Sequence, residues 1–180
     1  MTLWQIGSGN PGRDYSQLCI DHDVMMMGPG DPGCFWDNQA FYAQLDSRRY
    51  GAIRSLADDM HAGDIVLLRQ GHRVVTIGIV PENRYAWLDW LDDVYGWDLQ
   101  HSQRVCWQDH LADDLRSLQT SGGLFAHRRQ ISTFTRVHDK RVLKPLEPLL
   151  ARCEPRPYKD LPDPPGPVLS LEEVGQELFS

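Results

Sequence analysis

The sequence predicts an α+β domain built around a small, curved β-sheet or barrel. Short runs of aliphatic and β-branched residues recur along the chain and are closed by glycine- and proline-rich turns, and segments with helical spacing of apolar residues lie between them. Of the 180 residues, 41% are hydrophobic and 24% are charged, which is typical of a globular domain with a core of its own.

The first part of the chain predicts two strands and a short helix. Residues 3–6 (LWQI) favour a first strand, which the turn-rich loop GSGNPGRD follows. Asp14 or Ser16 is a candidate cap for a short helix through Cys19. Residues 23–27 (DVMMM) favour an apolar second strand, and the loop GPGDPG ends it.

The middle of the chain predicts a helical region followed by a β-hairpin. Residues 37–60 have helical spacing of apolar residues, with an expected break at Tyr50 and Gly51. The segments 64–69 (DIVLLR) and 74–80 (VVTIGIV) flank the turn QGHR, so they predict the two strands of the hairpin.

The second half predicts strands at 103–107 and 131–137 and helices at 109–119 and 139–152. Asp109 is a candidate cap for the first of these helices. The second helix is basic, and Pro145 and Pro148 are expected to interrupt it, because proline removes a backbone donor and clashes with the preceding turn.

The composition also predicts how the chain is divided. Residues 1–153 are expected to form the domain, and residues 154–180 a proline-rich arm or linker that leads into a short helix with Ser170 as its cap. Six prolines in residues 154–167 are the basis of that boundary. A helix after such a linker is also expected where a chain continues into a further domain.

Several functional classes find no support in the sequence. The N-terminus has neither the basic nor the apolar region of a signal peptide, and no apolar run is long enough to span a bilayer, so the predicted location is cytoplasmic. The four cysteines are far apart, which argues against a zinc site and a disulfide framework. No nucleophile elbow, phosphate-binding loop or HExxH motif occurs. We therefore expect no enzymatic activity, no cofactor and no metal ligands.

The distribution of charge is uneven. The formal net charge is -7, yet residues 125–160 carry nine positive and four negative side chains. This excess of positive charge is compatible with a surface that faces phosphates and equally with a solvated helix face.

Two tryptophans lie in loops rather than in apolar runs. Trp97 is in the segment YGWDLQH, and Trp36 follows GPGDPGCF. A loop tryptophan on a rigid scaffold is a candidate for stacking on a base, and core packing is the alternative for both residues. The segment Gly12 to Ser16 also gathers a cation, an acid, an aromatic ring and a hydroxyl beside the first strand.

The order of these segments resembles the EVE-like branch of the PUA superfamily, which includes EVE, YTH and ASCH domains and the DNA-reading modules of modification-dependent restriction systems. The shared core has the pattern GD-V, GIG-V and H-R-V-W. Its positions in this chain are Gly63, Asp64, Val66, Ile77, Gly78, Ile79, Val80, His101, Arg104, Val105 and Trp107. The resemblance covers about residues 3–137.

This resemblance implies a PUA-like curved sheet or small barrel of five or six strands surrounded by helices. Relatives hold one flipped-out or single-stranded base, often a methylated one, in an aromatic-lined pocket. Where YTH domains place a tryptophan at the end of the second strand, this chain has Met27. The corresponding base-binding positions, together with the second loop tryptophan, are Asp14, Tyr15, Ser16, Met27, Gly28, Trp36, Trp97 and Asp98.

One expected partner is DNA that is methylated or hydroxymethylated. The other is a nuclease or translocase that is fused to this chain or associated with it. Two alternatives stay open: an RNA-binding module in RNA modification or decay, and a small nuclease. The residues expected to contact phosphates are Arg13, Arg128, Arg129, Lys140 and Arg141.

Overall fold

The computed structural model describes residues 1–10, 12–71, 73–82, 85–94, 96–120, 134–157 and 159. The strands are β1 (Leu3–Gly7), β2 (Gly9–Asn10), β3 (Arg13–Asp14), β4 (Val24–Met27), β5 (Ile65–Gln70), β6 (Arg73–Ile79), β7 (Tyr85–Trp87), β8 (His101–Arg104), β9 (Cys106–Trp107) and β10 (Phe134–Arg136). The α-helices are α1 (Ser16–Asp21), α2 (Gln39–Tyr42), α3 (Ser47–Arg54), α4 (Ala112–Thr120) and α5 (Lys140–Leu150). A π-helical turn (Ser55–Asp59) extends α3, and two 3₁₀ turns (Asp89–Leu91 and Asp109–Leu111) complete the described elements.

The predicted α+β class is confirmed. A five-stranded sheet has the order β10-β1-β5-β6-β9, a three-stranded sheet has the order β4-β8-β7, and β2 and β3 form a small ribbon. β1 pairs with β5 in parallel, and the predicted hairpin is the antiparallel pair β5–β6. Among the described residues these sheets are open and do not close into a barrel.

The five-stranded sheet separates two hydrophobic layers, because successive side chains of β1 and β5 point to opposite faces. Trp4, Ile6 and Val66 face a layer shared with the three-stranded sheet and with α1 and α3. Leu3 and Leu67 face a second layer that α4 and α5 cover. The first layer also contains buried residues in or next to the loops expected to bind a base, namely Tyr15, Met27, Phe35 and Leu99.

The predicted break in the helical region is wrong. Tyr50 and Gly51 lie inside α3, and the break falls at residues 43–46 instead. Asp46 caps α3, since its carboxylate accepts hydrogen bonds from the backbone N–H groups of Arg48 and Arg49. The cap fixes where the helix begins, and the ~1 kcal/mol cost of one internal glycine is too small to end it.

Helix α5 is continuous, although Pro145 and Pro148 were expected to interrupt it. Val142, Leu146 and Leu149 are buried on one face, and Pro148 is exposed on the other. Pro145 is half-buried, and the buried apolar face keeps the helix against the sheet. Packing therefore outweighs the local effect of proline here.

The predicted strand at 103–107 is two strands in different sheets. β8 belongs to the three-stranded sheet and β9 to the five-stranded sheet, with Val105 between them. The backbone N–H of Val105 donates to the carbonyl of Asp23, which has a positive φ of 48°. The helix expected from Asp109 also differs, because it begins as a 3₁₀ turn after Gln108.

The described part of the proline-rich arm packs against the domain. Glu154 and Gln108 exchange two hydrogen bonds, from the Glu154 N–H to Gln108 Oε1 and from Gln108 Nε2 to the Glu154 carbonyl. Arg156 forms a bidentate ion pair with the buried Asp23 carboxylate, at 2.6 Å for each contact. Residues 160–180, including the helix expected after Ser170, and residues 131–133 of the expected strand lie outside the described residues.

In the part of the chain that the structure describes, no helix has the length and apolar character required to cross a membrane.

Candidate base-binding site

Trp97 and Arg13 form the centre of the candidate site. Trp97 lies in a tight turn closed by a bridge to Val94, and Gly96 has a φ of +79°, a conformation that favours glycine. The Trp97 side chain is 37% exposed. The guanidinium carbon of Arg13 lies 6.0 Å from the centre of its ring, within the range of a cation–π contact. The structure thus leaves about a third of Trp97 accessible to solvent and places a cation beside its ring.

The turn that carries Trp97 is fixed to the end of β4. The Asp98 carbonyl oxygen occupies the position that a Cβ atom at Gly28 would take. The backbone of residue 98 therefore packs directly on residue 28, and only glycine permits this approach. Gly28 and Asp98, two of the predicted site residues, are brought together in this way.

Replacing Gly28 with alanine is expected to lower the free energy of unfolding by about 1–3 kcal/mol, the usual cost of overpacking. The added methyl group must displace the backbone of Asp98, and Trp97 moves with it. Chemical denaturation measures the loss of stability, and the fluorescence of the variant reports the environment of its tryptophans.

Gly51→Ala is the matched control, since an added Cβ there meets no atom within 4 Å. Equal stability of the Gly28 and Gly51 variants would contradict the close approach of the two loops.

Asp14 organises the loop that carries Arg13. Its carboxylate accepts hydrogen bonds from the hydroxyl and backbone N–H of Ser16, from the hydroxyl of Ser8 and from Nε2 of Gln70, at 2.7–3.0 Å. Four donors occupy both of its oxygens. Its observed role is to hold the loop, which leaves little capacity to accept a hydrogen bond from a base.

Three predicted base contacts are buried. Tyr15 and Met27 are 3% and 2% exposed, and Ser16 is also buried. The Tyr15 hydroxyl donates to the carbonyl of Gly7, and Met27 lies in the core between the sheets. Tyr15, Ser16 and Met27 are therefore not placed to contact a base directly, although the sequence had led us to expect such contacts. An apolar strand end and an aromatic residue next to a helix are also typical core positions.

Trp36 is exposed, at 47%, but does not belong to the Arg13–Trp97 pair. Its ring meets Phe35 and Tyr85 edge-on, with centroids 5.1 Å and 6.4 Å apart. Tyr85 in turn contacts the buried His101, so Trp36 lies at the edge of a hydrogen-bonded group around that histidine. Trp36 and Trp97 therefore contact different groups of residues.

The buried histidine at the centre of this region was not among the predicted site residues. His101 is fully buried in β8 and pairs with Met27 of β4. Its Nδ1 lies 2.7 Å from the Tyr85 hydroxyl, and its Nε2 lies 2.9 Å from the Tyr42 hydroxyl and 2.8 Å from the Pro29 carbonyl. The histidine of the H-R-V-W pattern could have been singled out, but nothing in the sequence connects it with Tyr42.

A neutral imidazole protonated on Nε2 is compatible with these contacts, with its one proton shared between the Pro29 carbonyl and the Tyr42 hydroxyl. The Tyr85 hydroxyl accepts from the Phe35 N–H and donates to Nδ1, while the Tyr42 hydroxyl donates to the Gly33 carbonyl and accepts from Nε2. Burial lowers the pKa of His101 to about 4 and raises the pKa of Tyr42 to about 12. The group is therefore uncharged at neutral pH and ties the loop after β4 to β7 and β8.

The residues expected to contact phosphates are not gathered in one place. Arg13 lies at Trp97, whereas Lys140 and Arg141 begin α5, which packs on the opposite face of the five-stranded sheet. Arg141 is paired with Asp139 at 2.9 Å. Arg128 and Arg129 lie outside the described residues.

A groove of about 840 Å³ lies elsewhere, between α3 and the edge of the five-stranded sheet. Trp4 and Phe134, stacked with centroids 5.1 Å apart, border it together with Arg48 and Arg136. None of the residues predicted to hold a base is among those that line it. Trp4 is already engaged, since its indole N–H donates to Asp64.

Comparison with the models of known protein families and with curated proteins gave no match. The resemblance to EVE-like domains therefore stays a prediction based on the residues of the GD-V, GIG-V and H-R-V-W pattern.

Proposed function

We propose that this chain is a non-catalytic, PUA-like module that binds DNA and holds one base, a methylated or otherwise modified one, against Trp97. The observation that carries the proposal is the exposed Trp97 ring, which lies beside Arg13 on a turn fixed to the end of β4. A base and an indole ring stack well, and stacking contributes about 1–3 kcal/mol per base.

The chemistry around Trp97 supports the same proposal. Asp98 follows Trp97 directly, and its carboxylate, which lies with those of Asp31 and Asp92, is suited to accept a hydrogen bond from the exocyclic amino group of adenine or cytosine. Arg13 supplies a cation for the phosphate next to that base. Removing a base from a duplex costs a few kcal/mol, and burial of a methyl group returns about 0.8 kcal/mol.

In this proposal the site reads a base and does no chemistry on it. A reader of modified DNA serves a modification-dependent restriction or defence system in the cytoplasm, with cleavage or translocation supplied by a fused or associated partner. Arg13 is the described phosphate-contact candidate that lies beside Trp97, so few phosphate contacts are expected and the affinity should fall only moderately as salt rises.

Trp97→Ala is expected to weaken binding about 5- to 150-fold, the equivalent of the 1–3 kcal/mol lost with one stacked base. The measurement is a fluorescence-anisotropy titration at two salt concentrations. Labelled duplex and single-stranded DNA carry adenine, N6-methyladenine, cytosine, 5-methylcytosine or 5-hydroxymethylcytosine, and matched RNA strands are titrated in parallel.

Phe41→Ala is the control, because Phe41 is a similarly exposed ring, at 48%, outside the candidate site. Trp36→Ala tests whether the second loop tryptophan takes part. Loss of binding in Trp97→Ala alone, with a preference for one modified base, supports the proposal. Absence of binding to every oligonucleotide at low salt, or equal binding by the Trp97 and Phe41 variants, rejects it.

A further inference from the structure

The groove between α3 and β10 has the size of a ligand-binding site. Its volume of about 840 Å³ lies within the range of about 300–1,000 Å³ that is usual for small-molecule sites. One wall is a face of α3 that carries Arg48, Gly51 and Ala52, which are three and four residues apart. The other wall is the edge of the five-stranded sheet, where β10 lies beside β1. A groove of this size has room for an organic molecule and not only for a small inorganic ion.

A buried carboxylate fixes three of the residues that line this groove. Asp64 is only 3% exposed, and its oxygens accept hydrogen bonds from the backbone N–H of Thr2 at 2.7 Å, the indole N–H of Trp4 at 3.0 Å and the backbone N–H of His61 at 3.1 Å. All three donors belong to lining residues of the groove. Because these positions are held before a ligand binds, less ordering has to accompany binding.

The lining combines apolar rings with hydroxyl groups. The stacked rings of Trp4 and Phe134 are only 4% and 3% exposed, so they form a rigid apolar part of the lining. Thr2, Ser55 and Thr135 also line the groove and carry hydroxyl groups, which can both donate and accept hydrogen bonds. Such a mixture suits a molecule that has hydroxyl groups and a partly apolar body.

The helix wall leaves open space at Gly51. A Cβ atom added to this glycine meets no atom within 4 Å, although the residue lines the groove and is half-buried. A ligand can therefore approach the helix closely at this position.

The charges of the groove favour an anion. Arg48 on the helix wall and Arg136 on β10 are both exposed. Among the described lining residues the one acid is Asp59, and its carboxylate accepts a hydrogen bond from the Ser55 hydroxyl at 2.8 Å. The groove thus has an excess of positive charge in a chain whose formal net charge is -7. Guanidinium groups match the oxygens of a phosphate, and a phosphate has enough oxygens to accept from two arginines.

We infer that this groove binds a phosphorylated sugar of the nucleotide class, with its phosphate at Arg48 and Arg136 and its organic part beside Gly51. A free nucleotide and a nucleotide within a strand share this chemistry, and the experiment separates them. The inference goes beyond the proposed function and does not depend on it, because none of the residues predicted to hold a base lines the groove.

The test is isothermal titration calorimetry on the full chain with the 5′-monophosphates of adenosine, guanosine, cytidine and uridine. The matching nucleosides and inorganic phosphate are titrated in parallel. We expect saturable binding of at least one mononucleotide, tenfold or more tighter than binding of its nucleoside or of inorganic phosphate. An oligonucleotide without terminal phosphates shows whether the site also accepts a nucleotide within a strand.

The two arginines are tested by removal of their charge. Arg48→Gln and Arg136→Gln should each weaken mononucleotide binding about 10- to 100-fold, which is what one charge-assisted hydrogen bond contributes. Arg54→Gln is the matched control, because it removes the same charge from the same helix at a residue that does not line the groove.

The open space is tested by filling it. Gly51→Leu places a large side chain in the groove and should abolish binding, whereas Gly51→Ala adds one methyl group and should retain it. Leucine and alanine favour a helix more than glycine does, so both variants should fold, with thermal midpoints at least equal to that of the wild-type chain.

Loss of binding in the two arginine variants and in Gly51→Leu, with retention in Arg54→Gln and Gly51→Ala, supports the site. Weaker binding of the oligonucleotide in Gly51→Leu extends it to a nucleotide within a strand, and binding of mononucleotides alone restricts it to the free compound. The inference is overturned if no mononucleotide binds saturably, or if inorganic phosphate binds as tightly as the nucleotides. It is equally overturned if Arg54→Gln loses as much affinity as Arg136→Gln, or if Gly51→Leu binds like the wild-type chain.

Discussion

Replacing Arg156 with alanine is expected to lower the free energy of unfolding by about 3 kcal/mol, the lower end of the range for breaking a buried ion pair. Asp23 is fully buried, and both of its oxygens accept from the Arg156 guanidinium at 2.6 Å. The variant leaves this carboxylate without its countercharge. The lower end applies because the Arg156 side chain is 34% exposed.

Arg152→Ala is the matched control from the same segment. Arg152 pairs with Asp114 at 2.8 Å, but both side chains are about half exposed, so its loss should cost less than about 1 kcal/mol. Arg156→Lys should fall between the two, because lysine keeps the charge and loses the bidentate geometry. Urea unfolding at neutral pH measures all three. Equal stability of the Arg156 and Arg152 alanine variants would show that the buried ion pair contributes no more to the free energy of unfolding than the exposed one.

The Asp23–Arg156 ion pair also determines whether the free energy of unfolding rises or falls with pH. Burial alone raises the pKa of Asp23, but the hydrogen bonds and charge of Arg156 outweigh it and hold the pKa below its usual value. The stability that it contributes is present above the pKa of an unfolded aspartate, about 3.9, and is lost as the pH falls through the lower folded value. The difference between the wild-type chain and Arg156→Ala should therefore shrink below about pH 4.

A loss of stability in Arg156→Ala would also show that the folded domain extends beyond residue 153. The composition places the boundary at residue 153, because prolines and charged residues dominate the segment 154–167. A contact between Asp23 and Arg156 joins residues 133 positions apart, and no local pattern in the sequence reveals it. A chain cut after residue 153 should lose as much stability as Arg156→Ala, or more.

The elements predicted correctly from the sequence are those whose signal is local. The β5–β6 hairpin is marked by two aliphatic runs around a short turn, and β1 and β4 by apolar runs that end in glycine-rich loops. The errors arise where tertiary contacts prevail over local preference. Pro145 and Pro148 remain in a helix because its other face is buried, and Val105 divides a strand because Asp23 binds its backbone.

The candidate site shows the same division. A tryptophan in a glycine-flanked turn left base stacking and core packing as alternatives for Trp97, which is 37% exposed. The resemblance implied that Gly28 and Asp98 belong to one pocket, and the two residues are in contact. The burial of Met27 and Tyr15 could not be predicted, since apolar side chains suit a pocket and a core alike. The cluster of Asp31 with Asp92 and Asp98 depends on the meeting of two loops, which spacing does not encode.

His101 is expected to make the folded protein sensitive to mild acid. Burial lowers its pKa to about 4 in the folded state, against about 6.5 in an unfolded chain. Because the folded pKa is the lower one, the unfolded chain takes up the proton first as the pH falls. The stability contribution is complete above about pH 6.5 and is lost progressively toward pH 4, by up to about 3 kcal/mol.

The measurement is the free energy of unfolding in urea from pH 4.5 to 7.5, for the wild-type chain, for His101→Gln and for the exposed His110→Gln. Glutamine keeps a donor near the Pro29 carbonyl but does not titrate, so its curve should be flatter than the wild-type curve even if its stability at neutral pH is lower. His110→Gln, which replaces a histidine at an exposed position, is the control and should follow the wild-type slope. Parallel curves for all three, or an imidazole resonance of His101 that titrates near pH 6.5, would mean that the histidine is not held neutral between Tyr42 and Tyr85. The loop after β4 would then depend on other contacts, chief among them the packing of the Asp98 carbonyl on Gly28.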